Sequence, residues 1–380
     1  MNVAFFSDSA YGNRTGIGNY TRHLFSKLRR TPDLNLIEIM PDSGGAGDFG
    51  LCETLSNGLA SRSVYAWYPY ATYKLRHRRD LDIIHNPAQV PGFFQTDSPQ
   101  VLTIHDLVPF IFPEESKLTR TLVYQALFGA TVRRAKRIIA VSDNTRRDIV
   151  RFFDVHPENI HVIPLAAEKR YQPQSAADDR EMLSKYRIRP PYLLYVGTIE
   201  GRKNLHCLIS AFSEIVKHGY PHNLVIVGKR GWRTQRFDEA LGRFPVKGRI
   251  QLTRYMPDEA LPALYRQAEV FVYPSIYEGF GLPPLEAMAC GTPVVCSRAS
   301  SLPEVVGDAA LLFDPTDSAV LARALESVID SPATKERLSR RGRERASRFC
   351  WSETAAKTLD VYEQVVGDAT PTKKGHCLRR

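Results

Sequence analysis

Short apolar runs recur along this chain, and each is followed by a polar or glycine-containing loop and then by a longer segment with helical periodicity. Runs such as Val3–Phe6 and Leu224–Val227 consist of aliphatic, β-branched or aromatic residues, which is typical of strands buried on both faces of a parallel sheet. The alternation pauses at a polar, proline-containing stretch and restarts at Tyr192. It predicts an α/β chain with two doubly wound, Rossmann-like domains.

The length of the chain, 380 residues, also favours two domains over one, since single cores rarely grow beyond about 250–300 residues. The second half ends in an amphipathic helix, followed by a polar, lysine-containing tail whose composition predicts disorder. The predicted N-terminal domain, linker, C-terminal domain, terminal helix and tail are residues 1–170, 171–190, 191–350, 351–366 and 367–380.

The segment 271–297 carries the clearest candidate chemistry, because it predicts a strand, a glycine loop, a short helix that begins near Pro283, and a second strand. Gly279 and Gly281 leave backbone N–H groups uncovered beside the positive end of the helix, which suits a diphosphate. Two carboxylates, Glu278 and Glu286, flank this anion site. Since an ionised carboxylate only accepts hydrogen bonds, sugar hydroxyls are their expected partners.

A second loop, GTIEGRKNL, follows the strand at 192–196 and places Arg202 and Lys203 at the entrance of the next helix. Two cations and a helix N-terminus can neutralise a departing diphosphate without a metal. We therefore expect no metal site and no cofactor beyond the substrate.

The string EGFGLPPLEAMACGTPVV resembles the signature of retaining family-4 glycosyltransferases of the GT-B fold, and TIHDL, IIAVS and GTIEGRKNL are similar to further segments of that family. The resemblance covers about residues 1–366. It implies two Rossmann-like domains that face an interdomain cleft, with the nucleotide-sugar donor on the C-terminal domain and the acceptor on the N-terminal one. It also implies that the terminal helix crosses back onto the first domain.

The family resemblance implies a role for each matching residue. Glu278 meets the donor sugar, Glu286 meets the ribose, and His105 lies beside the transferring sugar. The chain departs from many members at Thr198, where they have arginine. The predicted catalytic residues are His105, Glu278, Arg202 and Lys203. The predicted donor-binding residues are Gly16, Gly18, Ser142, Gly228, Tyr255, Gly279, Phe280, Gly281, Leu282 and Glu286. The predicted acceptor-binding residues are Asp106, with orientation of the His105 imidazole as its alternative, and His85, with a structural role as its alternative.

The motifs GTIEGRKNL, VGKRGW and TIHDL together look most similar to bacterial mannosyltransferases of polysaccharide and O-antigen assembly. This resemblance implies GDP-mannose as donor and a saccharide or lipid-linked saccharide as acceptor. UDP-glucose and UDP-N-acetylglucosamine stay open as donors. Two other functions also stay open: a GT-B enzyme that releases or rearranges a sugar, such as an epimerase or a sucrose-type synthase, and a non-catalytic nucleotide-sugar-binding subunit.

The net charge of +10 is compatible with acidic ligands or with an anionic membrane surface. The basic residues are dispersed and no nucleic-acid-binding signature accompanies them, so we expect no nucleic-acid partner. The stretch 64–79 interleaves aromatic and basic residues, which predicts either contact with lipid headgroups or a helix packed on the sheet. Six scattered cysteines, no long apolar run and no signal-peptide pattern favour a cytoplasmic protein, with peripheral attachment to the membrane as an option.

Overall fold

Two parallel β-sheets flanked by helices form the protein, as a computed structural model shows. The structure describes residues 1–9, 16–41, 52–55, 64–91, 94–115, 118–174, 179–244, 246–254 and 256–369. The predicted fold class is confirmed.

The first sheet has seven strands in the order β3-β2-β1-β4-β5-β6-β7, all parallel. The order reverses between β1 and β4, the kind of switch point where doubly wound sheets bind ligands. Its strands are β1 Asn2–Phe6, β2 Asn35–Pro41, β3 Cys52–Leu55, β4 Ile83–Asn86, β5 Gln100–Ile104, β6 Arg137–Ala140 and β7 Ile160–Val162.

The second sheet has six parallel strands in the order β10-β9-β8-β11-β12-β13, so its switch point lies between β8 and β11. The glycine loop predicted from the sequence follows β11, and the Arg202–Lys203 loop follows β8. The strands are β8 Tyr192–Val196, β9 Asn223–Val227, β10 Ile250–Leu252, β11 Val270–Tyr273, β12 Val294–Ser297 and β13 Leu311–Phe313.

Helices cover both sheets. In the first half they are α1 Gly16–Leu28, α2 Val64–Leu75, α3 Val108–Ile111, α4 Leu118–Arg134, α5 Asp143–Phe153 and α6 Asp179–Lys185. In the second half they are α7 Leu205–Lys217, α8 Gln235–Arg243, α9 Leu261–Gln267, α10 Leu282–Ala289, α11 Leu302–Val306, α12 Ser318–Ile329, α13 Pro332–Ala346 and α14 Trp351–Ala369. No helix within these described residues is long and apolar enough to cross a bilayer.

Strand β1 shows why its sequence is apolar without interruption. Successive side chains point to opposite faces, and both faces are covered. Phe5 packs on Phe25 of α1, with ring centroids 5.5 Å apart, while Phe6 stacks on Tyr68 of α2 at 4.8 Å. The period-2 alternation of a half-exposed strand is therefore absent, as expected for a central parallel strand.

Helix α2 shows how the aromatic side chains of the segment 64–79 are distributed between the core and the surface. Trp67, Tyr68 and Ala71 are buried in the core against the sheet. Most of its described aromatic side chains therefore serve packing on the sheet, and contact of the rest of the segment with lipid stays a prediction. Tyr73 is the exception, because 48% of its surface is exposed.

Helix α14 lies against α1 and contacts β4 and β6 of the first sheet. Trp351 stacks on His23 at 4.9 Å, and Arg137 at the start of β6 pairs with Asp368 at the far end of the helix. The helix runs to Ala369, three residues beyond the predicted end. Two other boundaries also differ from the sequence prediction: α1 begins at Gly16 and not at Asn19, and α10 begins at Leu282.

Candidate active site

The loops that follow β8 and β11 are tied together at the second switch point. A 3-10 turn at Gly201–Lys203 ends at Asn204, whose backbone is left-handed with φ of 57°. The Asn204 side-chain amide donates to the carbonyl oxygens of Pro274 at 3.1 Å and Pro315 at 2.8 Å. These bonds fix the Arg202–Lys203 pair relative to the loop that carries Glu278.

Glu278 lies between the two predicted cations. Lys203 Nζ donates to Glu278 Oε1 at 2.5 Å and to the Tyr273 hydroxyl at 2.9 Å. Arg202 Nη1 reaches Glu278 Oε2 at 3.4 Å, and Arg202 Nη2 lies 3.2 Å from Glu200 Oε2. Residues 75 and 76 positions apart thus form one buried charge cluster.

The electrostatics keep Glu278 ionised. Burial alone would raise the pKa of this carboxyl, but Lys203 and Arg202 together lower it to about 2. The pKa of Arg202 is raised because Glu278 and Glu200 outweigh its burial. At neutral pH the cluster therefore holds charged groups of both signs in a water-poor setting.

Glu286 has different surroundings. It accepts a hydrogen bond from the Tyr265 hydroxyl at 2.9 Å, on α9. Burial raises the pKa of Glu286 to about 7, the charge of Glu168 adds to this, and hydrogen bonds from Tyr265 and Tyr171 oppose it. The sequence predicts an ionised carboxylate at both positions, but Glu278 is held ionised by cations whereas Glu286 titrates near neutrality.

The glycine loop is packed against the first domain. A Cβ atom at Gly279 would lie 1.7 Å from the carbonyl oxygen of His105, so only glycine permits this approach. Gly281 has φ of +110° and caps α10, which begins at Leu282. Phe280 is buried, with its ring edge-on to Phe349 at 5.9 Å.

His105 and Asp106, at the end of β5, face this loop. His105 Nε2 lies 2.7 Å from the Pro87 carbonyl oxygen; since a carbonyl only accepts, Nε2 carries the proton and Nδ1 of the neutral ring is an acceptor. Burial lowers the pKa of His105, which favours the neutral form. Asp106 Oδ1 accepts from the backbone N–H of Val108 at 3.1 Å, and its charge contributes to the raised pKa of Arg202.

The surroundings of His85 match the structural role that was left open as its alternative. Its ring is fully buried, with hydrogen bonds to the Tyr362 hydroxyl at 2.5 Å and to Thr103 Oγ1 at 2.9 Å. Burial lowers the pKa of His85 to about 3. Both ring nitrogens serve the contact between β4, β5 and α14, so His85 is structural and is not among the proposed acceptor groups.

Several of the predicted donor-binding residues also stabilise the local structure. Ser142 is buried, and its hydroxyl caps α5 by accepting from the backbone N–H of Thr145 at 3.0 Å. A Cβ at Gly228 would lie 1.9 Å from the Gly197 carbonyl oxygen, so this glycine lets two βα loops touch. Gly16 and Gly18 lie in the first turn of α1 and not in the preceding loop. Tyr255 lies outside the described residues.

Sequence reasoning missed the tyrosines of the site. Tyr273 was interpreted only as strand core, although its hydroxyl binds Lys203. Tyr277 carries no motif signal apart from its position directly before Glu278. Tyr265, which binds Glu286, lies on a helix whose apolar pattern predicts packing alone. In the sequence, a buried tyrosine whose hydroxyl bonds a charged group cannot be told apart from any other aromatic core residue.

The two domains thus meet at the carboxyl ends of their strands, where the glycine loop next to the charge cluster on one side packs against His105 and Asp106 on the other. This arrangement is the GT-B fold, and its buried cation pair suits an enzyme that cleaves an activated, diphosphate-linked group.

Comparison with known proteins identifies the family. Residues 16–168 match the model for Glycosyltransferase Family 4, and residues 178–345 match the model for Glycosyl transferases group 1. The chain belongs to glycosyltransferase family 4 and is a hexosyltransferase, as predicted.

Two relatives illustrate the similarity. O-antigen chain mannosyltransferase B of Escherichia coli is 34% identical over 385 residues, which cover 96% of this chain and 100% of the relative. MMP alpha-(1->4)-mannosyltransferase of Mycolicibacterium hassiacum is 32% identical over 310 residues, covering 76% of this chain and 72% of the relative. Among solved structures, sucrose-phosphate synthase of Thermosynechococcus elongatus superposes with a TM-score of 0.78 at 22% identity, covering 97% of this chain and 100% of that one, which shows the shared fold.

Proposed function

We propose that this protein is a retaining, metal-independent mannosyltransferase that uses GDP-mannose and a saccharide or lipid-linked saccharide acceptor in cell-surface polysaccharide biosynthesis. The observation that carries the proposal is the buried cluster of Lys203, Arg202 and Glu278 at the switch point of the second sheet. The names of the relatives, mannosyltransferases of O-antigen chains among them, support mannose as the transferred sugar.

In this proposal the two cations stabilise the leaving diphosphate. Negative charge grows on the phosphate oxygens as the bond to the sugar breaks, and charges already fixed in a water-poor site need no reorganisation to meet it. Glu278 holds Lys203 and Arg202 in place and offers its carboxylate to sugar hydroxyls. With a pKa of about 2, Glu278 is a poor proton acceptor, so its role is to position the donor and not to act as general base.

Retention of configuration follows from attack on the face that the diphosphate leaves. The bond between the anomeric carbon and the phosphate oxygen breaks, the bond to the acceptor oxygen forms on the same face, and the acceptor proton passes to the leaving phosphate. His105 supports the sugar through Nδ1, since its Nε2 proton is directed at Pro87. Glu286 and the Tyr265 hydroxyl form the pair that receives the ribose.

For a lipid-linked acceptor, we also expect the protein to contact an anionic membrane. We propose one exposed patch of its surface for this contact. Tyr73 and Phe94 are about half exposed, with ring centroids 6.2 Å apart, and the guanidinium of Arg76 covers the Tyr73 ring at 3.5 Å. Two exposed aromatic rings with a guanidinium stacked over one of them suit the lipid headgroup region of a membrane, where the rings contact the acyl boundary and the cation contacts phosphates. Sedimentation with phosphatidylglycerol vesicles at low salt tests this point: the wild type should co-sediment and Tyr73→Ser/Phe94→Ser should not, whereas a wild type left in the supernatant refutes it.

Calorimetry against a panel of nucleotide sugars, followed by turnover with the donor that binds, tests the function. We expect GDP-mannose to bind most tightly and NMR of the product to show an α-mannoside. Preference for a UDP-sugar would replace the donor, and an inverted product would reject front-face attack. Donor consumption that needs no acceptor would indicate the rearranging class, and binding without turnover would indicate a non-catalytic subunit.

A further inference from the structure

We propose that Tyr277 is a positioning residue that couples contact between the two domains to the placement of Glu278 and Arg202. This inference rests on the proposed function, in which Glu278 and Arg202 bind the donor. It assigns to Tyr277, Asp148 and Glu304 a role in assembling the site.

Tyr277 touches both domains at once. Its hydroxyl donates to Asp148 Oδ2 on α5 at 2.7 Å and accepts from the backbone N–H of Leu107 at 3.3 Å. Its own carbonyl oxygen accepts from Arg202 Nη1 at 3.0 Å. One buried residue, adjacent to Glu278, is thus bonded to the helix and loop of the first domain and to the cation of the second.

Helix α5 receives two more contacts from the second domain. Glu304 on α11 accepts from the backbone N–H groups of Asp143 and Asn144 at 2.9 and 3.0 Å. Thr145 Oγ1 donates to the Gly279 carbonyl oxygen at 3.2 Å. Together with Tyr277, these bonds fix the glycine loop against the start of α5.

The Asp143 and Asn144 amides report directly on this contact. The first N–H groups of a helix have no acceptor within the helix, so these two are protected from exchange only while Glu304 is in place. Separation of the domains would expose them to water. Their hydrogen exchange measures the interdomain contact without reference to catalysis.

The test uses Tyr277→Phe, which keeps the ring and the backbone bond to Arg202 but removes the hydroxyl. The matched control is Tyr220→Phe, since the Tyr220 hydroxyl also donates to a carboxylate, Asp330 Oδ2 at 2.6 Å, within the second domain. Glu304→Ala gives the exchange rate of the unprotected amides.

We expect Tyr277→Phe to speed exchange at Asp143 and Asn144 and to lower kcat, each by about 10-fold, as loss of a hydrogen bond to a charged group does. The Kd for GDP-mannose should weaken by less than kcat falls, because Arg202 and Glu278 remain and their placement matters most when negative charge grows on the leaving diphosphate. Asp148→Ala should lower kcat similarly, and the double variant should be no worse than either single one. Tyr220→Phe should match the wild type in both measurements.

Unchanged exchange in Tyr277→Phe overturns the proposal, as do multiplicative effects of the Tyr277 and Asp148 substitutions on kcat. A loss of donor affinity as large as the loss of kcat also overturns it, since Tyr277 would then be an ordinary donor contact. Failure of the proposed function is distinguishable: if GDP-mannose is not the donor, the exchange rates still respond to Tyr277→Phe.

Discussion

Replacing Lys203 with methionine separates the stabilising and catalytic roles of the buried charge cluster. Methionine fills most of the space of lysine but leaves Glu278 with only one of its two cations, Arg202 at 3.4 Å. Breaking a buried ion pair costs about 3–5 kcal/mol of unfolding free energy. Because Arg202 still pairs with Glu278, we expect a loss near the lower end, about 3 kcal/mol. For a domain of this size, that corresponds to a fall in Tm of roughly 6–12 °C.

Turnover should fall by at least about 10²-fold in Lys203→Met, as the loss of one charge-stabilising group does. Lys203→Met/Glu278→Gln removes both charges, so it should regain most of the lost Tm without regaining turnover. Arg202 keeps Glu200 as a partner at 3.2 Å in that variant. Differential scanning calorimetry and product analysis by chromatography give the two measurements.

Lys217→Met is the matched control, since Lys217 pairs with Glu214 at 2.8 Å on the exposed face of α7. That surface pair should contribute under about 1 kcal/mol, with turnover unchanged. Wild-type turnover in Lys203→Met would refute the charge argument outright. Recovery of turnover in the double variant would also refute it, because the cation would then matter only for folding.

Further predictions concern Glu286, Gly279 and Tyr362. Because the pKa of Glu286 is raised to about 7 from the ordinary 4.5, its contribution to stability is complete below 4.5 and is lost as the pH rises through about 7; Glu286→Gln should flatten this dependence in urea unfolding across that range. Donor affinity should show the opposite trend, strengthening as the carboxyl ionises through about pH 7, and a flat wild-type profile in calorimetry would contradict ribose binding by Glu286. Gly279→Ala places a Cβ 1.7 Å from the His105 carbonyl oxygen, so turnover should fall more than about 10²-fold, and wild-type turnover would show that the two loops need not touch. Tyr362→Phe removes the hydroxyl bound to His85, and chemical unfolding should show a loss of about 1–3 kcal/mol with kcat preserved; a selective loss of kcat would return His85 to the site.

The fold could be predicted because strands buried on both faces of a parallel sheet appear in the sequence as uninterrupted apolar runs. Strands such as β1 and β11 are apolar at every position but their ends, and Gly291, with φ of +80°, ends α10 as the pattern indicates. Strand β3 was missed, since its four residues include Glu53 and Thr54 and resemble a polar loop.

The site was less accessible to sequence reasoning because charge and burial depend on contacts across the fold. Lys203 and Glu278 were both named, but their pairing 75 positions apart has no local signal. His85 and His105 each follow an apolar run in the sequence, and only the packing of α14 shows that the His85 ring is closed off. Gly228 is predicted to bind the donor, and the sequence gives no sign that its missing side chain is also needed for the contact with Gly197.

The chain passes between its two halves twice, once through the segment after β7 and again where α14 returns to the first sheet. The Thr354 hydroxyl donates to the Pro164 carbonyl oxygen at 2.9 Å, so the two passages lie side by side. Two covalent connections that lie next to each other restrict twisting and sliding of one domain relative to the other. The position of His105 opposite Gly279 therefore depends on these connections as well as on the packing of the two loops.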